Sequence, residues 1–267
     1  MSTLDRIALR GWRSGLKNLL HKENRAWWGT RRWWVQALIW TVAIDGLLAV
    51  VLFIMPMVIR MDPTRNIADL NFVEMGLQSI FQVGMFFLAA GAIILGQGLL
   101  VGERELGVTE WLLTKPVSRA AYVLAKLMAS LGGILVTMVG LPCALAYVLF
   151  AVANGGALPL DLYLTCVLGL TLHTLFYLTL TLMLGSVTGS REKLLGLAMG
   201  TLFGGLVIPG FMGKLAIGTP WVLPNLLPAL GTGSTLPVSV WIPISMTSVF
   251  VVVFVGIALY QFKRLEF

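Results

Sequence analysis

Long stretches of this chain carry almost no charge, and their spacing constrains the fold more than any motif does. Residues 75–102, 127–160, 162–190, 194–213 and 215–262 hold no Asp, Glu, Lys or Arg, and residues 33–59 hold only Asp45. Crossing a hydrocarbon core of ~30 Å takes about 20 residues at helical rise. Five of the six intervals each fit one span, near 34–59, 76–101, 124–151, 162–186 and 193–213. The interval 215–262 is too long for a single helix. Its first half holds Gly218, Pro220, Pro224, Pro228, Gly231, Gly233 and Pro237, punctuation that breaks a regular helix. Residues 215–238 are therefore expected to form an exoplasmic helical excursion or re-entrant segment, and 239–261 the sixth span. The expected fold class is an all-α integral membrane protein: a leader (1–32) followed by a six-helix transmembrane domain (33–262).

Composition agrees. Apolar residues make up 58% of the chain and charged residues 12%, about half the charge a soluble globule carries. The net charge of +7 does not indicate nucleic acid, because eight of the 19 Lys and Arg lie in the first 32 residues and the rest sit mostly at helix ends. Cys143 and Cys166 both fall inside apolar runs, where small buried residues are expected rather than a disulfide or metal site. The first apolar run, Trp33 to Ile59, is far longer than the apolar region of a cleavable signal.

Orientation follows from the distribution of Lys and Arg. The leader, residues 102–126 and 187–193, and the C-terminal tail together carry 16; the other side carries Arg60, Arg65 and Lys214. The basic side is expected to be cytoplasmic, with both termini there, in a multi-pass protein of the cytoplasmic (inner) membrane. In the leader, Leu9, Trp12, Leu16 and Leu20 recur at helical spacing while Arg6, Arg10, Arg13 and Lys17 recur on another face. That pattern predicts an amphipathic helix in the membrane interface, the other reading being a solvated leader helix. Trp27, Trp28, Trp33 and Trp34 form an aromatic anchor at the first span.

Several polar groups fall inside the spans. Asp45 lies near the middle of the first, where an unpaired carboxylate costs a few kcal/mol. It is placed either on a translocation path or ion site, or in an interhelical hydrogen bond. Gln78 and Gln82 lie one turn apart on the second span, with Gln97 further along. His173 and Tyr177 share a face of the fourth, beside Thr174 and Thr181. These groups either line a polar path or hydrogen-bond neighbouring helices, each such bond contributing roughly 1 kcal/mol. His21, the other histidine, lies in the leader, so His173 is a poor metal ligand. Gly196, Gly200 and Gly204 recur every four residues on the fifth span and are expected to let another helix of the same subunit approach closely, a dimer seam being the alternative. Pro142 and Pro209 are expected to kink the third and fifth spans.

The connector after the second span, residues 102–126, reads GERELGVTEWLLTKPVSRAAYVLAK. Glu103, Glu105 and Glu110 suit a helix start and Lys115 a helix end. Pro116 stops that helix, and Ser118 caps the next, which carries Arg119 and Lys126. On physical grounds alone this is a short loop with polar ends, or an amphipathic element able to pass a push into the bundle. The stretch resembles the corresponding loop of permease subunits of the type-2 ABC exporter family, in which a segment like GER-x-x-GT-x-E-x-L-L-x-x-PVSR-x-x-Y-x-x-x-K follows the second span. The matching residues are Gly102, Glu103, Arg104, Gly107, Thr109, Glu110, Leu112, Leu113, Pro116, Val117, Ser118, Arg119, Tyr122 and Lys126; Val108, between Gly107 and Thr109, departs from the pattern. The match covers about a tenth of the chain. The resemblance implies that 102–121 is a coupling loop, in which 102–119 meets a separate ATPase subunit through residues including Glu103, Arg104, Glu105, Gly107, Thr109, Glu110, Pro116, Ser118 and Arg119.

No phosphate-cradling G-x-x-x-x-G-K-[ST] loop is present. Gly210-Phe-Met-Gly-Lys214 lacks the spacing and the hydroxyl residue. The chain is thus expected to be non-catalytic and to bind no cofactor, with ATP and Mg held by a partner. The expected assembly is two ATPase subunits and a second permease, identical or not, in a lipid bilayer without nucleic acid. Its substrates are expected to be amphipathic or lipid-like. A stand-alone secondary transporter or channel using Asp45 and His173 as a proton relay is the first rival, and predicts an internal inverted repeat that the sequence does not show. A membrane-embedded enzyme would need clustered nucleophile–base or metal-ligand residues that the spans lack.

Overall fold

Short polar side chains start the helices where the uncharged runs begin. Asn71, Ser118 and Ser190 each accept a hydrogen bond from the backbone N–H three residues on, at 3.1, 3.0 and 3.4 Å, satisfying a donor that a helix start leaves open. The computed structural model describes residues 11–61, 70–233 and 240–264, with all their side chains except those of Glu110 and Leu113. Among the described residues it is helical with no strand. A short helix, α1 (Leu16–Trp28), precedes α2 (Arg32–Arg60), α3 (Phe72–Glu105), α5 (Arg119–Asn154), α6 (Leu160–Val187), α7 (Arg191–Met212) and α9 (Trp241–Arg264). These six are long and apolar enough to cross a membrane. Between them, α4 (Val108–Leu113) lies in the connector from α3 to α5. Two 3-10 stretches (Gly213–Gly218 and Pro220–Val222) and α8 (Leu223–Gly231) follow α7.

The spans have unequal surroundings. The most apolar stretch of α6 is 61% buried, against 17% for α7 and for α9. Helix α6 is the central post, packed by α9, α3, α8 and α7, while α7 and α9 keep broad apolar faces outward. The 34-residue α3 and 36-residue α5 are each more than 50 Å long at ~1.5 Å per residue, well beyond a ~30 Å core.

Three spans contain π-helical turns: Val50–Ile54 in α2, Ser79–Gly84 and Gly98–Gly102 in α3, and Leu135–Gly140 in α5. Two of them end just before a proline, Pro56 and Pro142. Proline lacks the N–H and its ring crowds the carbonyl four residues back; a widened turn relieves that clash while neighbouring backbone groups stay paired. Pro142 thus follows a π turn, and Pro209 lies within α7 itself.

The leader differs from expectation. Its helix begins at Leu16, because Gly11 and Gly15 take left-handed conformations (φ 77° and 80°) and the Ser14 carbonyl accepts a hydrogen bond from the Ser118 N–H at 3.0 Å. Trp12 therefore precedes the helix, and Arg6, Leu9 and Arg10 lie outside the described residues, as do Arg65 and Pro237. Helix α1 buries Leu19 and Trp27 and packs along α5. The segment after α7 folds back into the bundle: Leu227 of α8 packs at Gly169, about 13 Å along α6 from its first residue, and its carbonyl receives the Cys166 thiol at 3.2 Å.

A Cβ placed on Gly133 would fall 1.9 Å from the Trp27 ring, whereas one on Gly132 would meet nothing within 4 Å. Gly133→Ala is expected to push Trp27 off α5 at a cost of about 1–3 kcal/mol and to speed proteolysis within α1. Gly132→Ala should leave both unchanged.

Candidate functional site

The connector is built around one buried ammonium. Lys126, on the first turns of α5, has a side chain only 4% exposed, with its Nζ 2.9 Å from Glu103 and 3.3 Å from Glu23 of α1. Lys22 adds a second, more exposed cation 3.5 Å from Glu103. The Tyr122 hydroxyl donates to Glu103 at 2.7 Å and lies 3.1 Å from the Thr109 hydroxyl of α4. Two carboxylates, two ammonium groups and two hydroxyls therefore join α1, α3, α4 and α5 in one network. A buried ammonium needs such partners, since removing it from water otherwise costs several kcal/mol.

The rest of the connector is tied down nearby. Arg104 reaches the Gly185 carbonyl near the end of α6 at 3.5 Å, and Arg119 donates to the Lys263 carbonyl at the end of α9 at 2.7 Å. Ser118 caps α5 and also donates to the Trp12 carbonyl. Gly107, at φ 67°, supplies the left-handed turn between α3 and α4 that a side chain disfavours. With Thr109 and Leu112 buried, α4 has a fixed inner face.

The outer side of the connector is different. Leu106 is 78% exposed and Trp111 63%, and Lys115 lies over the Trp111 ring at 4.5 Å. Glu105 and Pro116 are also exposed; the Glu110 side chain lies outside the described residues. Sequence reasoning placed Glu103 and Arg119 among the coupling residues, and here both tie the connector to the bundle. It missed Leu106 and Trp111, although two large apolar side chains in a polar connector are a signal in themselves.

Within the bundle, the structure gathers only some of the expected polar residues. Gln82, His173 and Tyr177 line a cavity of about 340 Å³, together with Phe86, Trp221 and Asn225. Gln78 and Asp45 do not line it. Asp45 is buried beside Ile44 and Leu48 on α2, and neither carboxyl oxygen finds a partner among the described residues. The hydroxyls of Thr174 and Thr181 turn back to the carbonyls of Leu170 and Tyr177 on their own helix, at 2.9 and 2.7 Å. The glycine stripe is not a seam within the subunit. A Cβ on Gly196 or Gly200 would meet nothing within 4 Å, and one on Gly204 only Ile208 of the same helix, because α7 stands at the bundle's edge. The close approach comes at Gly205, where a Cβ would lie 2.4 Å from Trp221.

Against known proteins, a family model described as ABC-2 family transporter protein matches residues 18–267. No curated protein matches the chain.

Glu103→Ala would strip Lys126 of its nearer carboxylate while Glu23 remains. The expected loss is about 1–3 kcal/mol of stability, read as a lower Tm of the detergent-purified protein. Lys126→Met, which removes the buried charge and keeps most of the volume, should cost less. Equal losses for both would show that packing, not charge compensation, holds the network.

Proposed function

This chain belongs to the ABC-2 transporter family, and on that premise we propose that it works as the permease of an ATP-driven exporter, moved by a separate ATPase subunit that docks on the connector 102–119. The carrying observation is the exposed pair Leu106 and Trp111, one on the turn before α4 and one on α4, whose other face buries Thr109 and Leu112 and meets Tyr122 of α5. Large side chains of this kind act as anchors at protein interfaces, and burying them from water contributes roughly 2 kcal/mol each. A rigid, anchored element transmits displacement; a loose loop absorbs it.

In this reading the connector faces the cytoplasm, two ATPase subunits serve two permeases, and ATP and Mg are held by the ATPases. ATP-driven closure of the ATPase pair would press on α4. The push would pass through Glu103, Arg104 and Arg119 to the ends of α3, α6 and α9, switching the bundle between inward-open and outward-open or closed states. The stand-alone proton-relay reading receives no support from geometry, since Asp45 does not line the cavity that holds His173.

The tagged chain, purified from its native membrane in mild detergent, is expected to bring down a subunit containing a phosphate-binding nucleotide loop. Leu106→Ala and Trp111→Ala together should lower that recovery at least tenfold, as loss of an anchor does, with the yield of the chain itself unchanged. Recovery of the chain without any nucleotide-binding subunit, or unaltered recovery by the double variant, would overturn the proposal.

A further inference from the structure

The cavity between α3, α6, α7 and the segment before α9 has the make-up of a ligand site. Its volume of about 340 Å³ falls in the ~300–1,000 Å³ range of small-molecule pockets. Phe86, Leu202, Leu206, Pro209 and Pro224 supply apolar wall, and no Asp, Glu, Lys or Arg lines it. Polar groups converge within. His173 lines the cavity and is 3% exposed, and its buried Nδ1 has no hydrogen-bond partner among the described residues, a rare condition in native interiors. The Trp221 indole N–H donates to the Tyr177 hydroxyl at 3.1 Å, which leaves the Tyr177 proton free to donate in turn. Gln82 and Asn225 are exposed at the rim and each brings an amide with both donor and acceptor. Leu206, also exposed, places the mouth on the flank of the bundle, where a molecule dissolved in the bilayer can enter sideways.

We propose that this cavity binds an uncharged amphiphile through a hydroxyl-bearing head, the head meeting His173, Tyr177 and the two rim amides while its apolar part lies along Phe86 and Leu206. The absence of lining charge selects the class. An anionic or cationic head would lose its hydration and find no counter-charge, whereas a hydroxyl both donates and accepts and so suits a wall of imidazole, phenol and amide. Trp221 offers a flat apolar face beside these groups. The inference gives the exporter reading a substrate class, yet binding to the isolated subunit needs no ATPase.

The test uses the full chain in phosphatidylcholine nanodiscs with three photoreactive probes of one alkyl chain: a glucoside, a carboxylate and a trimethylammonium. The glucoside is expected to label peptides spanning 202–210 and 221–225 saturably, with competition by excess octyl glucoside and about tenfold less labelling by the charged probes. His173→Leu and Tyr177→Phe should each reduce that labelling about tenfold, the weight of one well-made hydrogen bond in a dry site. Gly210→Leu adds bulk at a lining position where a Cβ meets nothing within 4 Å, and should abolish saturable labelling even if the other variants fold poorly. Equal labelling by the three probes, or labelling unaffected by Gly210→Leu, would overturn the proposal by showing ordinary contact with lipid. Neither result depends on whether an ATPase co-purifies.

Discussion

A backbone N–H or C=O without a partner in hydrocarbon costs several kcal/mol, and this requirement shapes the chain from the first span to the last. It makes helices of the uncharged runs and leaves them few ways to accommodate proline. The π turns ahead of Pro56 and Pro142 meet it by widening the helix instead of breaking it. It also explains why α8 can return into the bundle: its irregular approach, rich in proline, is sheltered by α6 and α7, and its buried residues Leu223 and Leu227 face protein. Gly169 and Gly205 make that shelter possible, because a side chain at either would strike Leu227 or Trp221.

Beyond the hydrocarbon a second constraint takes over. The overlong α3 and α5 carry their ends into a region where charges are affordable if they are paired, and there Lys126 gathers Glu103 and Glu23. This cluster gives the connector its two unlike faces. Glu103 is engaged in fixing the element, and the apolar surface the connector leaves exposed is made by Leu106 and Trp111. The connector is thus fastened on one side and open on the other, and charge compensation does the fastening.

Much of the fold was legible because hydrocarbon imposes a one-dimensional rule: an uncharged run of sufficient length is a span, wherever its neighbours lie. Ser118 as a cap and the interrupted segment after the fifth span follow from equally local rules. What escaped depends on conformation or on distant partners. Among the described residues the leader helix starts at Leu16 and leaves Trp12 outside it, because Gly11 and Gly15 adopt positive φ, which the helical spacing of Trp12 and Leu16 conceals. The Lys126 network joins residues 22, 23, 103 and 126, and no sequence window contains them together. The phase of α4, and so which of its residues face outward, is set by the turn at Gly107. For the polar residues of the spans, shared faces on α6 correctly paired His173 with Tyr177, while their meeting with Gln82 and Trp221 required the packing of four elements.

That packing bears on how the two sites relate. Helix α6 contributes His173 and Tyr177 to the cavity and, eight residues beyond Tyr177, the Gly185 carbonyl that receives Arg104. Helix α3 contributes Gln82 to the cavity and Glu103 to the ion cluster. Both helices are therefore engaged twice, by the cavity along their length and by the connector near one end. Continuity of this kind is not coupling; coupling requires an element with two arrangements that both sites bias. Helix α3 has a candidate in each of its π turns, one containing Gln82 and the other ending one residue before Glu103. A π turn can shift along a helix by exchanging one hydrogen bond for its neighbour, which rotates the residues it passes. Pressure on α4 that moved the turn at Gly98–Gly102 would rotate Glu103 relative to Lys126, and a matching shift at Ser79–Gly84 would turn Gln82 into or out of the cavity. Rigid spans would then need to move little, since the change is carried by turns already one residue wider than an α-helix.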